Sequence, residues 1–274
     1  MRHPLLGATA LAALAATVIA CSGESASSAN PTAPTTTVAT TTTTTTTTPT
    51  TPTTPTTPTT PTTPSTSGVQ AMYAQFVSTV TVSIDGATVT LRTNNLPDHK
   101  SPYWGTSSAS YEAPHAGMQI NPHVIASQNA TFRLPSSPAA ASASSDTPLG
   151  PIGISVNGVV FFNQYAAMRQ PLTSEIVSFD KYNGHPNPNN QYHYHFEPVS
   201  ITASSRSRLI GVLLDGFPVY GPQDSNGSTP SNLDACNGHT AATPEFSSGI
   251  YHYHTTTAVP YISGCFRGTA GTVQ

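Results

Sequence analysis

Six of the ten histidines in this 274-residue chain fall in two near-identical phrases. The first is Asp180-Lys181-Tyr182-Asn183-Gly184-His185, then six residues, then Tyr192-His193-Tyr194-His195. The second is Asp234-Ala235-Cys236-Asn237-Gly238-His239, then eleven residues, then Tyr251-His252-Tyr253-His254. Successive side chains of a strand point to opposite faces, so each Y-H-Y-H sends two imidazoles one way and two phenols the other. Imidazoles at i and i+2 can converge on one ion, and the histidine of the N-G-H turn can supply a third ligand. Neutral imidazole suits zinc, copper, iron or nickel. A catalytic zinc commonly takes three protein ligands and keeps one position open. The expectation is a transition metal, copper or zinc, held by His185, His193, His195, His239, His252 and His254 as two three-histidine sites or one shared site. Asp180 and Asp234 are candidate acceptors for imidazole N–H groups. A single Y-H-Y-H reads more simply as an ordinary polar strand; the second copy, with its own N-G-H, carries the metal reading.

Other candidates are weaker. Asp98-His99 follows Leu96-Pro97 and offers a further ligand or a general base, or else only a capped turn. Asp215 precedes Gly216 at the end of an apolar run, a place for turn chemistry or for a site residue. His115 and His123 lie in Pro-rich loop and are expected at the surface, and Tyr103 and Trp104 are expected in core packing rather than as a ligand platform. Glu175, Glu197 and Glu245 stand singly, which weighs against hydrolysis by a metal-activated water, and no serine lies in a G-x-S-x-G context. Three function classes stay open: a metal-binding domain, a metal-dependent hydrolase or oxidase, and a metal-free glycan-binding or adhesion module. Nucleic acid is excluded as a partner, because nine Lys and Arg against twelve Asp and Glu leave a net charge of −3.

The elements that must position these residues read as strands. Val77 to Ile84 alternates apolar and small polar residues, Asp85-Gly86 makes a turn, and Ala87 to Leu91 returns. Ile152 to Phe162 repeats the pattern around Asn157-Gly158, and Leu209 to Leu214 is a short apolar run closed by Asp215-Gly216-Phe217-Pro218. The Ser/Ala-rich stretch from Pro135 to Pro148 reads as loop. No window carries a long helical stripe. The fold expected is all-β, a sandwich or irregular barrel with long loops, over residues 68–274.

Ahead of it, residues 1–20 read as a secretory signal: Arg2 and His3, an apolar stretch from Leu5 to Ile19, and small residues before a cut. Val18-Ile19-Ala20-Cys21 resembles the lipobox of bacterial lipoproteins, in which the cysteine is lipidated and anchors the mature chain to the membrane. Residues 21–67 read as a disordered Thr/Pro stalk, with prolines at 49, 52, 55, 58, 61 and 64 along one edge of a polyproline II helix. Such a spacer covers about 50 Å over residues 49–64 at roughly 3.1 Å per residue. With Cys21 lipidated, Cys236 and Cys265 form an even pair in an oxidising compartment, where a disulfide persists. These readings place the chain outside the cytoplasm, at the membrane or cell surface.

The doubled Y-H-Y-H, the phrase from Asp215 to Pro222 (DGFPVYGP) and the closing Pro260 to Cys265 (PYISGC) are similar to the bacterial YHYH-domain family. Asn95-Leu96-Pro97-Asp98-His99 and Ile152 to Val159 (IGISVNGV) match upstream, so the resemblance covers most of residues 76–268. It implies an extracytoplasmic domain of undefined biochemical role. Tyr182 stands where many relatives carry cysteine in the first repeat, so any additional disulfide of those relatives is absent.

Overall fold

The first hairpin forms where the alternation is cleanest. In the computed structural model, which describes residues 66–274, β1 (Thr81–Asp85) and β2 (Thr88–Thr93) pair antiparallel with Asp85 opposite Thr88, and Gly86 takes a left-handed φ of 54° in the turn. β1 begins at Thr81 rather than Val77, because Val80 N–H already donates to Val77 O in a preceding turn. β3 (Ala130–Pro135) pairs with β2 so that Val89 faces Leu134 and Leu91 faces Phe132, all four fully buried, while Arg133 points to solvent. β14 (Thr272–Val273) closes this sheet in the order β1-β2-β3-β14.

The larger sheet has eight strands. It contains β5 (Pro151–Ser155), β6 (Val160–Phe162), β7 (Gly184–Pro186), β8 (Tyr192–Tyr194), β9 (Leu209–Leu213), β10 (Pro218–Tyr220), β11 (Gly238–Ala241) and β12 (Ile250–His254). Their order is β11-β12-β10-β9-β5-β6-β8-β7. The order is a palindrome of two four-stranded halves. Within each half the pairings run antiparallel, parallel, antiparallel, and the halves join through antiparallel β5 and β9. A pseudo-two-fold axis passes through the Ile154–Val212 pair, with Gly153 opposite Leu213 and Gly211 opposite Ser155. A side chain at either glycine would meet the opposite strand's backbone, Val212 O or Ile154 O. The sequence carries the same symmetry: IGISVNGVVFFN from Ile152 to Asn163 superposes without gaps on IGVLLDGFPVYG from Ile210 to Gly221.

The two sheets share one apolar core, and a buried amide ties them. Asn95, at φ 58°, donates through Nδ2 to Tyr192 O at 2.7 Å and accepts Val160 N–H at 2.9 Å. The architecture is therefore mostly β, sandwich-like, with no closed barrel among the described residues. Two features escape the sequence reading. The Ser/Ala stretch is partly strand: β4 (Ala140–Asp146) pairs with β13 (Cys265–Gly268). Its side chains are small and mostly exposed, so the backbone ladder forms it and no apolar alternation marks it. A helix, α1 (Thr66–Tyr73), enters the core through Val69, Met72 and Tyr73 and overlaps the end of the expected stalk. A one-turn α2 (Val199–Thr202) and three 3-10 turns, at Ala167–Arg169, Leu172–Ser174 and Ile176–Ser178, complete the described elements. The signal, Cys21 and all but the last residues of the Thr/Pro stalk lie outside the described residues. No helix among those described is long and apolar enough to cross a membrane.

Candidate metal centres

Each N-G-H turn is built by its aspartate. Asp180 Oδ1 accepts the N–H groups of Tyr182 and Gly184, and Asp234 Oδ1 those of Cys236 and Gly238. Asn183 and Asn237 take the left-handed conformation between them, at φ 67° and 63°, which asparagine tolerates better than other residues with a side chain. The following glycine has a different duty: a Cβ at Gly184 or Gly238 would lie within 2.4 Å of the Tyr192 or Tyr251 hydroxyl. Those tyrosines donate to the same aspartates. Asp180 and Asp234 thus hold turns and phenols, not imidazoles as expected.

The turns deliver His185 on β7 opposite His193 on β8, and His239 on β11 opposite His252 on β12. Alternation adds His195 and His254 to the same faces and sends the tyrosines into the core, where Tyr192, Tyr194 and Tyr253 are fully buried. In the first centre His193 Nε2 lies 3.1 Å from His185 Nε2 and 3.0 Å from His195 Nε2. In the second, His239 Nε2 lies 3.1 Å from His252 Nε2 and 3.3 Å from His254 Nε2. There are two centres, not one. β8 and β12 are five strand steps apart in the sheet, about 24 Å at about 4.8 Å per step, which rules out a bridged pair of ions.

The opposite ring nitrogens fix the tautomers. Nδ1–H of His193, His195, His252 and His254 donates to the carbonyl oxygens of Gln191, Asn163, Ile250 and Gly221, at 3.1, 2.5, 3.0 and 2.7 Å. His239 Nδ1 pairs with Asn232 Oδ1 at 2.9 Å. His185 Nδ1 meets Ser178 Oγ at 2.7 Å; that hydroxyl already donates to Glu175 O, so it accepts from the ring. Tyr103 in turn donates to Ser178 O, which gives the buried Tyr103 a structural role behind His185. All six Nε2 atoms therefore present lone pairs, and three lone pairs converge in each centre. Four ligands at 2.0–2.1 Å in a tetrahedron stand about 3.3 Å from one another, and ligands at right angles about 2.9 Å, so the observed spacings fit a single ion. Burial keeps the rings neutral: it pushes His185 and His252 down to about 3, His195 to about 4, and His193 and His254 below the ordinary histidine value.

Each centre also gathers a carboxylate that the motif does not contain. Asp224 Oδ1 lies 3.2 Å from His239 Nε2 and 3.3 Å from His254 Nε2, completing a four-ligand set. Glu175 Oε2 stands farther back in the first centre, 3.6 Å from His185 Nε2 and 3.8 Å from His195 Nε2, and burial raises its carboxyl. Both residues come from the loop joining the second and third strands of their half. Asp224 carried no signal beyond its loop; Glu175 is one of the three glutamates that stand singly in the sequence.

The remaining candidates fall elsewhere. His99 packs against the Tyr182 ring at a tilt and bonds Tyr194 OH at 2.9 Å, and Asp98 accepts from Asn157 Nδ2, so both sit on the tyrosine face. Asp215 is buried beneath Tyr253, accepting its hydroxyl and the N–H groups of Arg267 and Gly268. None of the three belongs to a metal centre. His115 is exposed as expected. His123, expected at the surface, is half-buried and lines a cleft of about 480 Å³ at the first centre. Trp104 donates to His99 O and packs against the core. Cys236 and Cys265 form the expected disulfide, tying the second N-G-H turn to β13.

The sequence model of the family described as YHYH protein matches residues 131–231 and 223–268, about half of the chain and all six histidines. No curated protein and no solved structure matches it.

Proposed function

Since the chain belongs to the YHYH family, and the motif that names the family supplies the converging imidazoles, we propose that it is a surface-anchored lipoprotein whose folded domain binds two transition-metal ions. The observation that carries this is the convergence of three Nε2 lone pairs in each centre, with every Nδ1 engaged on an oxygen acceptor. Three neutral imidazoles facing one another across about 3 Å of buried space repel unless a cation lies between them. Zinc and copper(II) are the ions we assign. Imidazole with carboxylate suits them, and neither centre offers the thiolate or thioether that copper(I) selects. The oxidised Cys236–Cys265 pair supports a place outside the cytoplasm. Tyr192, Tyr194 and Tyr253 are fully buried, and Tyr192, Tyr251 and Tyr253 already donate to aspartates, so the tyrosine face offers little to a glycan.

Elemental analysis of the full chain, produced without a histidine tag in an oxidising compartment, tests the reading. We expect two equivalents of zinc or copper, with His193→Ala and His252→Ala each losing one and the double variant losing both. A folded chain that stays metal-free after reconstitution with either ion overturns it.

A further inference from the structure

The two centres differ in what surrounds them. In the second, Asp224 closes a set of four ligands, the arrangement of a structural ion. In the first, three histidines form one wall of the cleft of about 480 Å³, and Glu175 lines it half an ångström farther back than Asp224 stands in its own centre. Much of the cleft wall is apolar, with polar side chains such as Gln119, Asn121 and Ser174 interspersed. Phe162 stacks on His193 at 4.0 Å, and Ile120, Leu149 and Val177 contribute side chains that are each 40% exposed or more. Exposed large apolar side chains mark contact sites for ligands when they cluster. No Lys or Arg lines the cleft, so no cationic side chain there favours an anionic substrate over a neutral one. Met168 and Arg169, between the lining residues Ala167 and Ser174, both take left-handed backbone conformations, at φ 56° and 57°. Such strain gathers where a site demands it.

We propose that the His185/His193/His195 centre hydrolyses small neutral carboxylic esters bound in this cleft, with Glu175 as general base, while the Asp224 centre is structural. The proposal rests on the metal reading above, since an ion in the first centre supplies the Lewis acid. The ester's apolar arm lies along Phe162, Leu149 and Val177 with its carbonyl toward the imidazoles. Water held between Glu175 and the carbonyl carbon loses a proton to Glu175 as its oxygen bonds that carbon. The ester C–O bond then breaks, and the departing alkoxide takes the proton from Glu175, leaving a carboxylic acid and an alcohol. An ester suits the site because an alkoxide departs with that single returned proton.

The full chain, loaded with zinc and separately with cobalt, is assayed on p-nitrophenyl butyrate and titrated with butyrohydroxamic acid, an acyl probe that is neutral in solution and chelates a metal on losing its proton. We expect ester turnover that chelation abolishes, and a cobalt spectrum in which the hydroxamate shifts the bands of one ion of two. Glu175→Gln should keep both metals and the hydroxamate shift while kcat falls 10²-fold or more, the lower range for a general base. Ala167→Trp, which fills the cleft, should keep both metals and raise KM. Two bound ions with no turnover and no hydroxamate shift would overturn this inference and leave the metal reading standing. Loss of one metal in Glu175→Gln makes Glu175 a ligand and overturns its role as base. A metal-free chain overturns both readings at once.

Discussion

At the scale of single residues, the histidines were legible and the carboxylates were not. Alternation in Y-H-Y-H is a local property, so His193 and His195, or His252 and His254, share a face wherever the strand lies. Asp224 and Glu175 reach the centres from irregular loops, and nothing local in a loop says which way a side chain turns. Asp180 and Asp234 were misjudged for a related reason: a carboxylate four residues before a glycine in a tight turn finds backbone N–H groups before it can reach a ring. The neutral state of the buried rings has a measurable consequence. Unfolded histidine has a pKa near 6.5, whereas burial in the fold pushes His185 and His252 down to about 3 and His195 down to about 4. A depressed histidine pKa means that the unfolded chain takes up protons first as the pH falls. Stability of the metal-free protein is then flat above about pH 7.5 and declines from about 6.5 toward about 4, by up to about 1.4 kcal/mol per pH unit for each such histidine. Urea unfolding of the chelated chain at pH 7.5, 6 and 5 should show midpoints falling in that order. An unchanged midpoint would mean that the imidazoles are not buried as described.

At the scale of elements, the turns at Gly86, Gly158 and Gly216 were legible because Asp-Gly or Asn-Gly after an apolar run is a strong local signal, and all three glycines take a positive φ. β4 was not, since a strand of exposed Ala and Ser has no alternation to read. The repeat was read too short: D-x-x-N-G-H and Y-H-Y-H are the last half of a unit that begins at Ile152 and again at Ile210. The extension explains pairs of contacts that look unrelated in sequence. His195 donates to Asn163 O and His254 to Gly221 O, the corresponding positions of the two units. Phe162 and Tyr220 likewise pack on His193 and His252. A four-strand unit thus carries its own three-histidine cluster, and on the metal reading proposed above damage to one unit should spare the other's ion. Gly184→Ala tests this, because its Cβ would sit 2.4 Å from the Tyr192 ring and hydroxyl. Overpacking of that kind costs about 1–3 kcal/mol. We expect a lower unfolding midpoint and loss of one metal equivalent of two. Loss of both would show that the units are not independent.

At the scale of the whole molecule, the question is how a domain with so little charge is held where it works. Charged residues are 8% of the chain, against about 25% in ordinary globular domains. The described residues offer no helix fit to cross a bilayer, no Lys/Arg surplus to bind an anionic surface, and one disulfide that needs an oxidising compartment. The first three-histidine cluster faces a cleft with a largely apolar wall. On the lipoprotein reading proposed above, a lipid on Cys21 followed by a Thr/Pro spacer would meet these demands together, with the chain retained by acyl chains rather than by a surface of the domain. Stable anchoring needs more than one acyl chain, since a single chain binds reversibly. Cys21→Ser therefore separates anchoring from folding. In a bacterial host the unaltered chain should fractionate with membranes and carry an N-terminal mass increase of diacylglycerol size on a chain beginning at residue 21. The variant should be free of lipid and absent from membranes, with its metal content unchanged. An unaltered chain recovered without lipid would place the domain in free solution and remove the membrane from its function.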